Sequence, residues 1–228
     1  MKANFFVWLS LLITWTITAC HQQPKAETPS EGTFVIEGVV EPQDGQIPPE
    51  GTKIWLVPFF GPHPRPVDSC FVSRDGSFRF EGNNELMAVI RLGHVARYGY
   101  QDLLVCTEPG HINVRISNNS MCQGTPLNDA LQEWKDHVEA FNNSVAGYAN
   151  ACKNGMIDTT AYRIETTRLR EESGAYVYQF LKSHGSNVMT RCLNTIRFGS
   201  LSVEQKAELN DLLKDTIDYT RPQPGFHR

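Results

Sequence analysis

The chain has 228 residues and a net charge of −4, from 21 basic and 25 acidic side chains. That length suits one or two domains with a real core. With mild acidity and no basic run it lacks the electrostatic footprint of a nucleic-acid binder, and that class of partner is set aside.

Residues 1–19 come first. Lys2 supplies a positive start, and residues 5–13 (FFVWLSLLI) supply an apolar stretch of signal-peptide length. A spanning helix needs about 20 apolar residues, and hydroxyls at Thr14, Thr16 and Thr18 dilute the run. The segment therefore reads as a cleaved signal. It closes on Ile17-Thr18-Ala19-Cys20, which resembles the lipobox of bacterial lipoproteins. That resemblance implies that Cys20 becomes the first residue of the mature chain and carries lipid on its sulfur, with palmitate as the label to follow. Each acyl methylene buried contributes roughly 0.8 kcal/mol, so several chains anchor a protein to the bilayer without a spanning helix.

Residues 20–31 are polar, contain Pro24 and Pro29 and show no apolar period, as in a flexible tether. From residue 32 short β-like runs alternate with Gly, Pro, Asn and Asp. Strands are predicted at 33–40 (TFVIEGVV), with Gly38 as a bulge position, and at 52–59 (TKIWLVPF). Gly61 to Pro66 carries proline at three of six positions and must be a loop. Strands at 67–73 and 77–82 flank Asp75-Gly76, a hairpin signal. Further strands fall at 85–92, 103–107 and 111–117.

Near Gly124 the period changes. Thr125 with Pro126 starts a long helix on which Leu127, Leu131, Trp134, Val138, Phe141, Val145, Tyr148 and Cys152 recur every three or four residues. That stripe reads as its core face. Asp158 can cap a second helix running to about His184, Val188 to Ile196 mark a third, and Ser202 with Gln205 forms a capping box for a fourth. The expected fold is α+β: an antiparallel β-sandwich or barrel over 32–123, a lobe of about four helices over 124–220, and a disordered tail over 221–228.

Export makes the compartment oxidising and permits disulfides among Cys70, Cys106, Cys122, Cys152 and Cys192. Five is odd, so one thiol is left over, and the pairing stays open. No C-x-x-C is present.

The runs Phe34-x-Ile36-x-Gly38, Ile54-x-Leu56, Val67-Asp68-Ser69 and Asp75-Gly76-Ser77-Phe78-x-Phe80-x-Gly82 resemble a lipoprotein domain of unknown function common in Bacteroidetes. Gly124-Thr125-Pro126-Leu127-Asn128 and the helix after it resemble the segment that follows that domain. In that family a thioredoxin-like domain, of the peroxiredoxin or thiol-disulfide interchange type, usually comes next. No residues here correspond to it, so its activity is not carried over. Surface lipoproteins of that phylum often carry an acidic run after the lipidated cysteine, whereas His21-Gln22-Gln23-Pro24 follow Cys20 here. This favours the outer membrane with a periplasmic outlook. Asp158-Thr159-Thr160 and Asp215-Thr216-Ile217 resemble the short O-glycosylation sequence of the same phylum.

Seven histidines and the cysteines show no metal-ligand spacing. The closest pairing, Cys106 with His111, reads as a buried thiol near a turn. Asp68-Ser69 lacks a nucleophile elbow, and there is no phosphate-binding glycine loop. No cofactor, metal or catalytic residue is therefore assigned. Trp55, Phe59, Phe60, Tyr98 and Tyr100 lie in or beside loops and could form an exposed aromatic patch for a sugar or an apolar partner. The expected function is a non-enzymatic, lipid-anchored binding or interaction module of the cell envelope. The alternatives are an accessory protein to a thioredoxin-like oxidoreductase and a carbohydrate-binding module.

Overall fold

Alternation between apolar and polar residues builds the first half of the chain. The computed structural model describes residues 32–42, 50–60, 65–93 and 100–214. Cys20, the tether, Tyr98, residues 61–64, the Asp215-Thr216-Ile217 run and the tail lie outside them. The strands are β1 Phe34–Val40, β2 Lys53–Pro58, β3 Asp68–Phe71, β4 Ser77–Gly82, β5 Met87–Leu92, β6 Leu103–Cys106, β7 Gly110–Ile116 and β8 Met121–Gln123. One sheet has the order β4-β1-β7-β8 and the other β3-β2-β5-β6. Phe34, Ile36, Phe80 and Ile112 of the first sheet and Ile54, Leu56 and Ile90 of the second are almost wholly buried, each burial contributing about 1.5–3 kcal/mol.

Of the sandwich or barrel expected, the open sandwich is what forms, and three expectations for this half need correction. The two sheets face each other without closing into a barrel, and β1 pairs with β7 in parallel. The long excursion through β2 to β6 lets the chain return to β1 in the same direction, which a purely antiparallel meander does not allow. Asp75-Gly76 does turn the chain, with Gly76 at φ +86 and its N–H bonded to the Ser73 carbonyl. However, β3 pairs with β2 and β4 pairs with β1, so the turn is a corner between sheets. Gly38 is in register with Phe78 and Val114, with no bulge. A Cβ at Gly38 would lie 2.0 Å from Phe78 Cζ, so the missing side chain is the space the ring occupies. β8, which is not among the expected strands, is only three residues long, too short to show an alternation.

The helices are α1 Pro126–Lys153, α2 Thr159–His184, α3 Val188–Thr195 and α4 Val203–Leu212. Three starts follow the local signals: Asp158 accepts from Ala161 N, Asn187 and Thr190 form a capping box, and so do Ser202 and Gln205. The start of α1 differs. Thr125 makes no side-chain cap, and the Glu108 carboxylate, in the turn between β6 and β7, accepts from the Leu127 and Asn128 N–H groups at 2.6 and 3.1 Å. A carboxylate buried to 9 % exposure is well placed there, because orphan N–H groups and the positive end of the helix dipole solvate it.

The first turns of α1 also finish the sandwich. Asn128, fully buried, accepts from Cys106 N at 2.9 Å and donates Nδ2 to the Cys106 carbonyl and to Thr125 Oγ1, both at 2.8 Å. Gln132 Oε1 accepts from Cys122 N at 3.2 Å. Two amide side chains on one helix face thus satisfy the edges of β6 and β8, where another strand would otherwise be needed. Beyond them Trp134 enters a cluster with Phe180 and Phe198, ring centroids 5.3 and 5.2 Å away. The apolar core runs without a break from the sheets through Trp134 to Leu181, Leu193 and Leu209.

The expected core stripe of α1 holds only to this point. Val138, Phe141, Val145, Tyr148 and Cys152 are half-buried. A helix of 28 residues is about 40 Å long, which outreaches the body it leans on, so its outer turns have α2 for a neighbour. Gly174 of α2 admits the chain after α3 at very close range. A Cβ there would come within 1.9 Å of the Ser200 carbonyl oxygen, and Ser200 N donates to the Arg170 carbonyl at 2.8 Å.

Candidate functional site

β2 alternates Lys53 and Trp55 outward with Ile54 and Leu56 inward. In the antiparallel ladder Lys53 stands opposite Phe71 and Trp55 opposite Ser69 on one side and Arg91 on the other. Directly opposed residues share a face. Trp55, Phe71, Lys53, Ser69 and Arg91 are therefore together on the outer surface of the β3-β2-β5-β6 sheet. Phe71 is 62 % exposed, with Lys53 Nζ 5.8 Å from its ring centroid. The Trp55 ring lies along Gly93, where a Cβ would sit 3.2 Å from Trp55 Cζ3, so a backbone surface fixes the indole.

Beside Trp55 opens a cleft of about 560 Å³, lined by Arg65, Asp68, Ser69, Glu81 and Asn83 among others. It combines one aromatic ring with hydrogen-bonding and charged groups of both signs. Among the described residues it carries no nucleophile arrangement: Asp68 Oδ1 accepts from the Ser69 N–H at 2.7 Å and so engages the backbone rather than the hydroxyl. Among the described residues no histidine lines it, and no group of three or more His, Cys, Asp or Glu could hold a metal ion.

The five aromatics expected to form one patch do not come together. Trp55 is on the outer sheet face. Phe59 and Phe60 follow β2 and are half-buried against the core as an edge-to-face pair, centroids 5.0 Å apart at 87°. Tyr100 is a core residue, 4 % exposed, and its hydroxyl donates to the Glu41 carbonyl at 2.8 Å. Its ring is not available to a ligand. Phe71, an exposed ring on the same sheet face as Trp55, escaped the sequence reading because its strand, DSCF, is too short and polar to show which face is outer.

The five described cysteines, Cys70, Cys106, Cys122, Cys152 and Cys192, carry free thiols. Burial pushes the Cys70 thiol up to about 11 and the Cys122 and Cys192 thiols up to about 12. It pushes Cys106 up further still, with the Glu108 charge adding to the effect. Such thiols are poor nucleophiles, since the thiolate is the reactive form.

Fold and site together define an α+β protein: an open two-sheet sandwich, an aromatic and polar outer face, and four helices. Residues 34–131 match a family described as a domain of unknown function (DUF4369). The match begins at the first residue of β1 and ends in the second turn of α1, so it takes in Asn128 as well as the two sheets. Neither the curated proteins nor the solved structures contain a match to this chain. Among the described residues no helix is long and apolar enough to cross a membrane.

Proposed function

We propose that this protein is a lipid-anchored lipoprotein of the bacterial cell envelope that works as a non-catalytic binding module. The observation that carries the placement is Ile17-Thr18-Ala19-Cys20 at the end of a short apolar segment: Cys20 takes the lipid, and the polar run after it sets the folded body off the bilayer. The proposed face is the periplasmic side of the outer membrane. The binding half of the reading is supported by the fixed indole of Trp55, the exposed ring of Phe71 and the polar cleft beside them.

This is the chemistry of glycan recognition. A sugar offers a C–H face to an aromatic ring and hydroxyls to carboxylates, amides and guanidinium groups. The carbohydrate-binding reading is thereby preferred to a thiol-redox accessory role, because an accessory to thiol exchange needs an accessible low-pKa sulfur and burial acts in the opposite direction on four of the five thiols. Glycan-array and polysaccharide pull-down signals test the proposal. They should fall at least tenfold in Trp55→Ala and Phe71→Ala, while Phe59→Ala alters stability more than binding. The absence of any glycan signal, or a signal indifferent to both outer-face substitutions, would defeat it.

A further inference from the structure

A second recess lies where the helices meet the sandwich. Its volume is about 280 Å³ and its walls are mostly apolar: Leu104 of β6, Trp134 and Val138 of α1, Leu193 of α3, and Ile196 and Phe198 just after α3. Ile196 is 44 % exposed at this site. An engineered cavity of about 150 Å³ holds benzene, so a recess nearly twice that size accommodates roughly a dozen heavy atoms.

The charges around it are unequal. Asp102, in the wall, is held by Arg91 at 2.9 Å. Lys135, also in the wall, is half-buried and donates only to neutral oxygens: Asn119 Oδ1 at 2.7 Å and the Ser120 carbonyl. The nearest carboxylates are engaged elsewhere, Asp136 with Gln132 at 2.7 Å and Glu139 with Asn119 at 3.2 Å. Among the described residues none comes within ion-pair distance of the Lys135 ammonium. Burial lowers the Lys135 pKa from its ordinary value, with the Glu139 and Asp136 charges opposing from beyond ion-pair distance. A cation with no carboxylate in direct contact, beside a mostly apolar recess, complements a molecule with one anionic head and an apolar body.

We infer that this junction recess is a binding site for a medium-chain fatty carboxylate of about ten carbons, its carboxylate on Lys135 and its chain along Leu104, Val138 and Ile196. The site is separate from the Trp55 cleft, and the inference stands or falls independently of glycan binding.

The test is photo-crosslinking of the purified full chain with a ten-carbon fatty acid bearing a terminal diazirine. The protein is kept soluble in digitonin, which has no alkyl chain to compete. Label should be found on peptides containing Trp134 to Val138 and Leu193 to Phe198, and decanoate should displace it at least tenfold better than decanol or decyltrimethylammonium. Lys135→Met should reduce labelling at least tenfold. Because Lys135 also holds the turn between β7 and β8, Ile196→Glu is the second variant: it changes an exposed position, leaves that turn intact and should reduce labelling by a similar factor. Label spread over the whole chain, label confined to the Trp55 face, displacement by decanol as effective as by decanoate, or labelling unchanged in Ile196→Glu would each overturn the assignment.

Discussion

Asn128 is the point at which helix and sandwich depend on each other most directly, and its removal should be expensive. In Asn128→Ala the Cys106 N–H and C=O, both in a buried strand, lose the partner that Asn128 gives them on that edge. Each orphaned buried group costs about 1–3 kcal/mol. With the Thr125 hydroxyl also released, the expected loss is about 4 kcal/mol, which for a body of this size is a fall of about 12 °C in Tm. Asn128→Asp preserves shape and the acceptor for Cys106 N–H but sets an oxygen against the Cys106 carbonyl, so it should cost a comparable amount. Asn142→Ala, at an exposed position of the same helix, should change stability by less than about 0.5 kcal/mol. Urea denaturation followed by far-UV circular dichroism measures all three. An Asn128→Ala variant within about 1 kcal/mol of wild type would refute the claim that α1 completes the sheet edge.

Other consequences can be checked separately. Gly38→Ala should destabilise by about 1–3 kcal/mol, because the new methyl group meets the Phe78 ring. Combined with Phe78→Leu the loss should be clearly less than the sum, and an additive double mutant would contradict the contact. In native protein treated with a disulfide reagent, Cys152 should react first, and Cys106, Cys122 and Cys192 only at the rate of unfolding; rapid modification of those three would show that the body is not packed as described. Burial lowers the pKa of His137, stacked on Tyr176 at 3.7 Å, below its ordinary 6.5, with Glu133 opposing. A depressed folded pKa contributes stability that is present above the unfolded value and is lost as pH falls through the folded value. The urea midpoint should therefore drop from pH 7.5 to 5.5 more steeply in wild type than in His137→Phe, and parallel curves would contradict this.

How far the sequence could be read follows from which interactions are local. Phe78, Arg79, Phe80 and Glu81 alternate, and the ladder places them as alternation requires. Ser202 with Gln205 and Asp158 with Ala161 interact within one turn, so their residue types identify the caps. Glu108 caps a helix from a turn 19 positions upstream, and no local pattern marks it. Asn128 and Gln132 look like ordinary polar residues on a helix, yet they serve strands β6 and β8. Gly38 resembled a bulge because sequence shows the missing side chain and not the ring that fills its place. The aromatic face was half readable for the same reason: Trp55 is a recognisable candidate, but its neighbours Phe71 and Ser69 are set by strand register, and Tyr100 is told from an exposed ring by its burial in the core and its bond to the Glu41 carbonyl.

The proposed placement at the membrane rests on Cys20, and mass spectrometry of the N-terminal peptide of protein purified from its own cells tests it most directly. The account predicts a peptide beginning at Cys20, with a diacylglyceryl thioether on the sulfur, incorporating labelled palmitate that disappears in Cys20→Ala. A peptide that begins elsewhere with an unmodified Cys20, or palmitate label that survives Cys20→Ala, would contradict it.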